Sequence, residues 1–368
     1  SRDKSLIADV YPTLAKHQDW IDQSFNLLKD GTVADIGFNI DYGSALHAER
    51  HVWVDMSMFQ VNQYETLAKM AALLGKDAAT IAKWQDKAAK LKAGINAKMW
   101  NEQDGAYYAL KSRNLEQTKV SCPIELDALT ADVASREQAR RLVARFMDPN
   151  KYAPGKKGKF FCPSAAFDDP TFRITDGWGG PIWLIEPYYA VRGMAHYGFQ
   201  TEAAAVSSNL YGMVAAEYLR TGSIWEQYRP DNGQCLNPGR RFFTSGIATS
   251  ILDLFLRGQF GFERTDDPNA FYLTPTPVAD GWHGIENLTL SGATRLSIQM
   301  KKSGSGTSCK VKFSGQDKDR RFVEIYSANL ATGVRERVAR ELLDRHGEVE
   351  ATLNKAGSSR FLWEVKTQ

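Results

Sequence analysis

Residues 52–75 read VWVDMSMFQVNQYETLAKMAALLG. Apolar side chains recur at Val54, Met58, Val61, Ala68, Ala71 and Leu74, the i, i+3, i+4 rhythm of a helix with one buried stripe, and Gly75 ends it. From 79 to 100 the same rhythm passes through Ile81, Trp84, Ala88, Leu91, Ile95 and Met99. A short GKDA turn joins the two, so the spacing predicts a pair of antiparallel helices. Outward from this hairpin, helical patterns recur near 3–28, 124–147 (broken near Ser135), 182–198, 200–220 and 242–257. No long strand-like run separates them, and the first two thirds of the chain reads as mainly α, built of helical hairpins.

Around 259–275 the texture becomes a turn-rich linker, with Pro268, Pro275 and Pro277 in or just beyond it. A domain boundary belongs there, giving a helical segment 1–262 and a C-terminal segment 263–368. In the latter, TRLSIQMKK alternates apolar Leu296, Ile298 and Met300 with polar neighbours, and CKVKF, RFVEIYS, GEVEATL and RFLWEVK repeat the habit. Period-two alternation with Gly, Ser and Asn breaks predicts a small β-sandwich or antiparallel sheet. The stretch TGVRERVARELLD stays open, since Val334, Val338 and Leu342 fit a helix while their neighbours suggest strands.

Composition narrows the function classes. The 368 residues, 43% of them hydrophobic, can build one large domain and a smaller one. Lys and Arg number 46 against 43 Asp and Glu, a formal +3 spread along the chain, so no footprint for nucleic acid or an anionic membrane emerges. The basic run KYAPGKKGKF at 151–160 reads as a solvated loop. No apolar run approaches a bilayer span, and the chain opens on Ser1 without a signal-peptide pattern, which predicts a soluble chain beginning after processing. Secreted and periplasmic settings are both compatible with this. Cys122, Cys162, Cys235 and Cys309 show no zinc spacing; Cys122 and Cys162 either pair or stay buried as free thiols, the latter being expected. His47 and His51 share an i, i+4 spacing, but HAERH lacks the glutamate placement of a metalloprotease motif. With no GxSxG, GxxxxGK or GxGxxG either, neither a metal nor a cofactor is expected.

Nine Trp, fourteen Tyr and eighteen Phe are more telling, because several sit beside acids in Gly/Pro-rich loops. Pyranose rings stack their apolar faces on aromatics while their hydroxyls take polar partners. Three pieces fit that chemistry. Asp41, next to Tyr42 in DIGFNIDYGSALH, is either a loop-capping aspartate or a reacting one. In TDGWGGPIWLIEPYYAVRG at 175–193, a Gly-Gly-Pro places Asp176, Trp178 and Trp183 at a helix entrance, to bind a ligand or to pack the core. Glu226, in SIWEQYRPDNGQ at 223–234, stands between Trp225 and Tyr228, either as a rim residue or as a carboxylate of raised basicity.

Taken in order, WVDMSMFQVNQYETLAKMAALLGKDA, WNEQDGAYYAL, GWGGPIWLIEPYYAVRGMAHYGF and SIWEQYRPDNGQ resemble successive blocks of the processing α-glucosidase family that includes mannosyl-oligosaccharide glucosidase, and of its trehalase relatives. The resemblance runs from about residue 30 to about residue 260. It implies an (α/α)6 toroid and an exo-acting hydrolase that cleaves α-glucosidic linkages of an oligosaccharide or disaccharide with inversion, an Asp serving as general acid and a Glu as general base. By position the acid is Asp41 and the base Glu226. Asp55 matches the aspartate of the family's Val-Asp-Leu-Asn block, which orders the site. Trp178, Trp183, Trp225 and Tyr228, with Tyr42 nearby, would form the sugar subsite, and Arg229 or Asp176 would bind hydroxyls. Inversion needs the two carboxyl groups roughly 6.5–9.5 Å apart, to leave room for a water.

Departures from the family pattern widen the substrate question. Phe38-Asn39-Ile40 replaces the usual Glu-Ser-Gly before the catalytic aspartate, and Trp178-Gly179-Gly180-Pro181 replaces Trp-Arg-Gly-Pro. The alternatives are an α-mannoside or α-rhamnoside substrate on the same scaffold, or a carbohydrate-binding protein without catalysis. A complete toroid also needs more helices than the about eight patterns found before the β segment. The expectation is therefore the C-terminal part of a barrel, whose missing N-terminal helices come from another chain or fragment.

Overall fold

The computed structural model describes residues 4–25, 29, 51–174, 179–236, 247–265, 267, 269–278, 280–291, 294–304, 306–314, 321–329, 334–344, 346–354 and 359–367. Contacts divide the chain into two compact units, Ser1–Gly193 with Trp225–Thr244, and Met194–Ile224 with Ser245–Gln368.

The first unit is built on helices. α1 (Ser5–Phe25) is followed by the two-residue strand β1 (His51–Val52), then α2 (Val54–Leu73) and α3 (Ala78–Lys98). These last two are the predicted hairpin. Asp77 caps α3, accepting a hydrogen bond from the Thr80 N–H at 2.7 Å, and Gly75 turns the chain at φ +66°. Val54, Met58, Val61 and Ala71 of α2 are fully buried, as are Leu91 and Ile95 of α3, so the stripe read from the sequence is the packed face. Two-residue strands β2 (Trp100–Asn101), β3 (Ala106–Tyr107) and β4 (Leu110–Lys111) follow; β2 pairs with β3, and β4 returns to β1.

A 3-10 turn (Pro123–Leu126) runs into the short α4 (Asp127–Thr130), and α5 spans Arg136–Phe146. The break near Ser135 has a local cause. Ser135 and Gln138 form a capping box, each side chain bonded to the other's backbone N–H, so the chain must leave the helix to start a new one. The unit is completed by β5 (Ile182–Trp183), most of α6 (Ile185–His196) and β6 (Gln227–Tyr228).

The second unit joins two helices to all the longer strands. α7 (Gln200–Thr221), ended by Gly222 at φ +71°, packs closely on α8 (Ile247–Phe260). A Cβ on Gly258 would lie 2.2 Å from that of Ser207, whose hydroxyl donates to the Leu254 carbonyl at 2.6 Å. After α8 come β7 (Glu263–Arg264), β8 (Ala270–Tyr272), β9 (His283–Ser291), β10 (Thr294–Ser303), β11 (Gly306–Ser314), β12 (Arg321–Asn329), β13 (Arg335–Leu342), β14 (Glu348–Leu353) and β15 (Ser359–Thr367). They form an antiparallel four-stranded sheet, β14-β11-β10-β9, and a five-stranded one, β13-β12-β15-β8-β7. Alternate residues of both sheets, among them Ile298, Met300, Val311, Val323, Ile325 and Trp363, share one apolar core. The turn-rich linker thus contributes β7 and β8 to the second sheet.

Within the ambiguous stretch, Arg335–Leu342 form an edge strand, β13, paired with β12. Val334, Val338 and Leu342 lie four apart, a spacing that a regular strand or a helix would both place on one face, and in β13 the register shifts opposite Val338. All three are exposed, so burial gives no helical preference. Among the described residues, no helix is long and apolar enough to cross a membrane.

Candidate active site

The GGPIW and SIWEQYRP blocks, remote in sequence, meet in one antiparallel ladder. Ile182 of β5 stands opposite Tyr228 of β6, and Trp183 opposite Gln227. Glu226 leads directly into β6 and is half-buried. Its backbone is held on both sides. The Trp225 N–H donates to the Tyr228 hydroxyl at 2.8 Å, and beyond Tyr228 the predicted turn closes, with the Gly233 N–H on the Arg229 carbonyl and the Arg229 N–H on the Gln234 carbonyl, both at 2.9 Å. Gly233 supplies the left-handed residue of this turn at φ +77°.

The residues proposed as a sugar subsite are placed unequally. Trp183 and Trp225 are each 5% exposed and Tyr228 is fully enclosed, its hydroxyl spent on the Trp225 N–H. Arg229 gives two hydrogen bonds to Asp231, at 3.0 and 2.7 Å, inside its own turn. Asp55 lies in the first turn of α2 and is completely buried. Asp41, Tyr42, Asp176 and Trp178 lie outside the described residues.

Behind Asp55 stands a carboxyl that the sequence did not single out. Asp127, at the start of α4, is buried, and burial pushes its pKa well above its ordinary value; the negative charge of Asp55 pushes it further the same way. Asp127 is therefore held as the neutral acid more readily than a surface aspartate. Glu125, also buried, is pushed up by burial and pulled back by Arg145, whose Nε donates to it at 3.0 Å, with the Tyr152 hydroxyl donating to the same oxygen at 3.1 Å. Little along the chain signals either group: IELDAL reads as an apolar stretch, and their partners lie on other elements. All four cysteines are free thiols, Cys122 and Cys162 both buried. Among the described residues, no group of three or more His, Cys, Asp or Glu side chains is arranged to hold a metal ion.

Comparison with known proteins connects this geometry to a chemistry. The model of the mannosylglycerate hydrolase MGH1-like glycoside hydrolase domain matches residues 35–245. A mannosylglycerate hydrolase of Rubrobacter radiotolerans is 25% identical over 194 residues, 52% of this chain and 41% of that protein. The mannosyl-oligosaccharide glucosidase GCS1 of Arabidopsis thaliana is 33% identical over 84 residues, 20% of this chain and 10% of that protein. The chain thus spans half or less of the length of these curated relatives. Among solved structures, the GH63 mannosylglycerate hydrolase of Thermus thermophilus in complex with Tris shares the fold over 68% of this chain and 71% of its own, with a TM-score of 0.56 and 16% identity. The blocks read as processing-glucosidase-like therefore lie within a match to a glycoside hydrolase domain, and the chain shares its fold with a solved GH63 enzyme.

Proposed function

The chain belongs to the mannosylglycerate hydrolase MGH1-like glycoside hydrolase family, and from that premise we propose that it is the catalytic part of an inverting, exo-acting glycoside hydrolase. The observation that carries this reading is the β5–β6 ladder, which brings the GGPIW block beside a backbone-clamped Glu226. Glu226 is the general base: it takes a proton from the water that attacks the anomeric carbon. Asp41 is the general acid and protonates the leaving oxygen from the opposite face, across a gap of roughly 6.5–9.5 Å. Asp55 orders the site from the start of α2. Trp178, Trp183 and Trp225 shape the sugar pocket, with Tyr42, Asp176, Tyr228 and Arg229 around it.

The substrate reading shifts with the relatives. The resemblance alone favours an α-glucoside, but the mannosylglycerate hydrolase likeness covers 52% of the chain against 20% for the glucosidase. A mannosyl-glycerate type of substrate, a sugar on a small acid, therefore stands first, and an α-glucoside second. The helical segment up to about residue 262 carries the reaction, with the β segment beyond it. The test is hydrolysis of mannosylglycerate and of α-glucosyl disaccharides, with the anomer released followed by NMR. Inverted product that disappears on Glu226→Gln supports the reading; retained configuration, or an unaffected Glu226→Gln, removes it.

A further inference from the structure

The outer face of the four-stranded sheet carries an exposed tryptophan. Met300 is fully buried in the shared core, so its neighbours Gln299 and Lys301 face the other way. His283 of β9 stands opposite Met300 and Gly284 opposite Gln299, which sets Trp282, just before β9, beside Lys301. On the far side of β10, Gln299 stands opposite Lys310 of β11. Lys301 Nζ lies 4.7 Å from the centroid of the Trp282 ring and Lys310 Nζ 4.6 Å. The indole thus reaches from the β9 edge across β10, and it is still 37% exposed. Gly284, next along that face, admits no side chain, since a Cβ there would lie 2.0 Å from the Ile298 carbonyl oxygen. The place beside the indole on β9 is therefore bare.

Ammonium groups are drawn to an aromatic face, but the ring does not neutralise them. Lys310 has Glu350 at 3.5 Å, a carboxylate about half in water. Lys301 makes no ion pair among the described residues and has the indole as its partner. Two like charges held at one ring repel each other, and an anion bound at that ring relieves the repulsion.

Next to this platform is a cavity of about 250 Å³, with walls that include Pro275, Pro277, Leu353 and Phe361 and with Lys302 at its rim. Lys302 follows Lys301 in β10 and lies 3.6 Å from Asp280, two residues before Trp282. The stretch from Pro275 to Trp282 therefore runs from the cavity wall to the platform. Both belong to the second unit, whereas Glu226 belongs to the first.

We propose that Trp282, Lys301 and Lys310 form a binding surface for an acidic polysaccharide. The indole carries the apolar face of a pyranose ring, the ammonium groups take a uronate carboxylate, and a neighbouring sugar enters the cavity beside Lys302. Glu348 and Glu350 of β14, which flank the buried Val349, share this outer face. They and Asp280 interrupt the positive charge, which suits a chain with spaced carboxylates and opposes the dense phosphates of a nucleic acid. The surface is independent of the reaction assigned to Glu226.

Calorimetric titration of the full chain with a galacturonic acid tetramer, its methyl ester and an oligothymidylate tests this. Wild type is expected to bind the acid at least about tenfold more tightly than the ester, with the preference shrinking as salt is raised. Trp282→Ala should lose about five- to tenfold in affinity for the acid, and Lys301→Ala about three- to tenfold, while Lys301→Arg keeps most of it. All three side chains reach solvent, and circular dichroism on each variant confirms its fold. Hydrolysis of a small soluble glycoside should be unchanged in Trp282→Ala, so failure here and failure of the Glu226 assignment are read separately. Equal affinity for acid and ester, undiminished binding by folded Trp282→Ala, tighter binding of the oligothymidylate, or no binding at all overturns the proposal.

Discussion

Asp55, Glu125, Asp127 and Glu186 are all buried in the first unit; in the second, the buried acid Glu217 on α7 is paired with Arg220, and the shared core of the two sheets is made of Phe, Leu, Ile, Val, Met, Trp and Ala side chains and the thiol of Cys309. Taking a carboxylate out of water costs several kcal/mol unless charge and hydrogen bonds compensate. A fold that only had to be stable would fill such positions with apolar groups, as the strands do. Buried acids with raised pKa values, such as Glu125 and Asp127, gather where chemistry is done, so the contrast between the first unit and the apolar core of the sheets is consistent with the reaction proposed for the first unit.

The largest effect expected from this contrast is at Glu226. Replacing the proposed base by its amide, Glu226→Gln, should lower kcat by about a thousandfold or more while leaving circular dichroism and sugar binding nearly intact. A folded Glu226→Gln with wild-type turnover would remove the first unit's claim to the chemistry. The opposite profile belongs to Trp363, which is fully buried, stacks on Phe271 with ring centroids 6.2 Å apart, and donates its indole N–H to the Leu273 carbonyl at 3.1 Å. Trp363→Ala should destabilise the second unit by about 3–5 kcal/mol in urea unfolding, with kcat changed only a few-fold at temperatures where the variant is folded.

A finer probe is Asp127. Its pKa is raised on folding, so between the unfolded value of 3.8 and the folded value the native state binds more protons than the unfolded one. Stability from this group is full below the unfolded pKa and is lost as pH rises toward the folded one, at up to about 1.4 kcal/mol per pH unit. Asp127→Asn removes that slope, and its Tm relative to wild type should rise between pH 4 and pH 7. A parallel pair of Tm curves would show that Asp127 titrates normally and weaken the contrast between the two cores. The smallest effect is expected at Val338, exposed on edge strand β13. Val338→Thr should shift stability by no more than about 0.5 kcal/mol, and a larger loss would reveal a face that is covered in solution.

Much of this architecture was legible along the chain. The stripe Val54, Met58, Val61 and the stop at Gly75 mark α2, and the alternation of Leu296, Ile298 and Met300 marks β10, because each pattern records which side of a single element is buried. Where one face carried no burial signal, as in β13, the pattern could not choose between helix and strand. The β5–β6 ladder was less legible still: each strand is only two residues long, too short for any period to show.

What the sequence by itself determined is the longer periodic elements, such as α2, α3 and β10, the presence of Glu226 in an aromatic block, and the lineage of that block. Each depends on neighbours within a few turns or strands. Only the tertiary structure decided that Trp183 faces Gln227, that Asp127 is buried within reach of the charge of Asp55, and that a Cβ on Gly179 would meet the Arg173 side chain. Those facts belong to pairs of residues brought together by folding. Burial, charge coupling and the exclusion of one side chain by another depend on distance in space, which the order of the residues does not record.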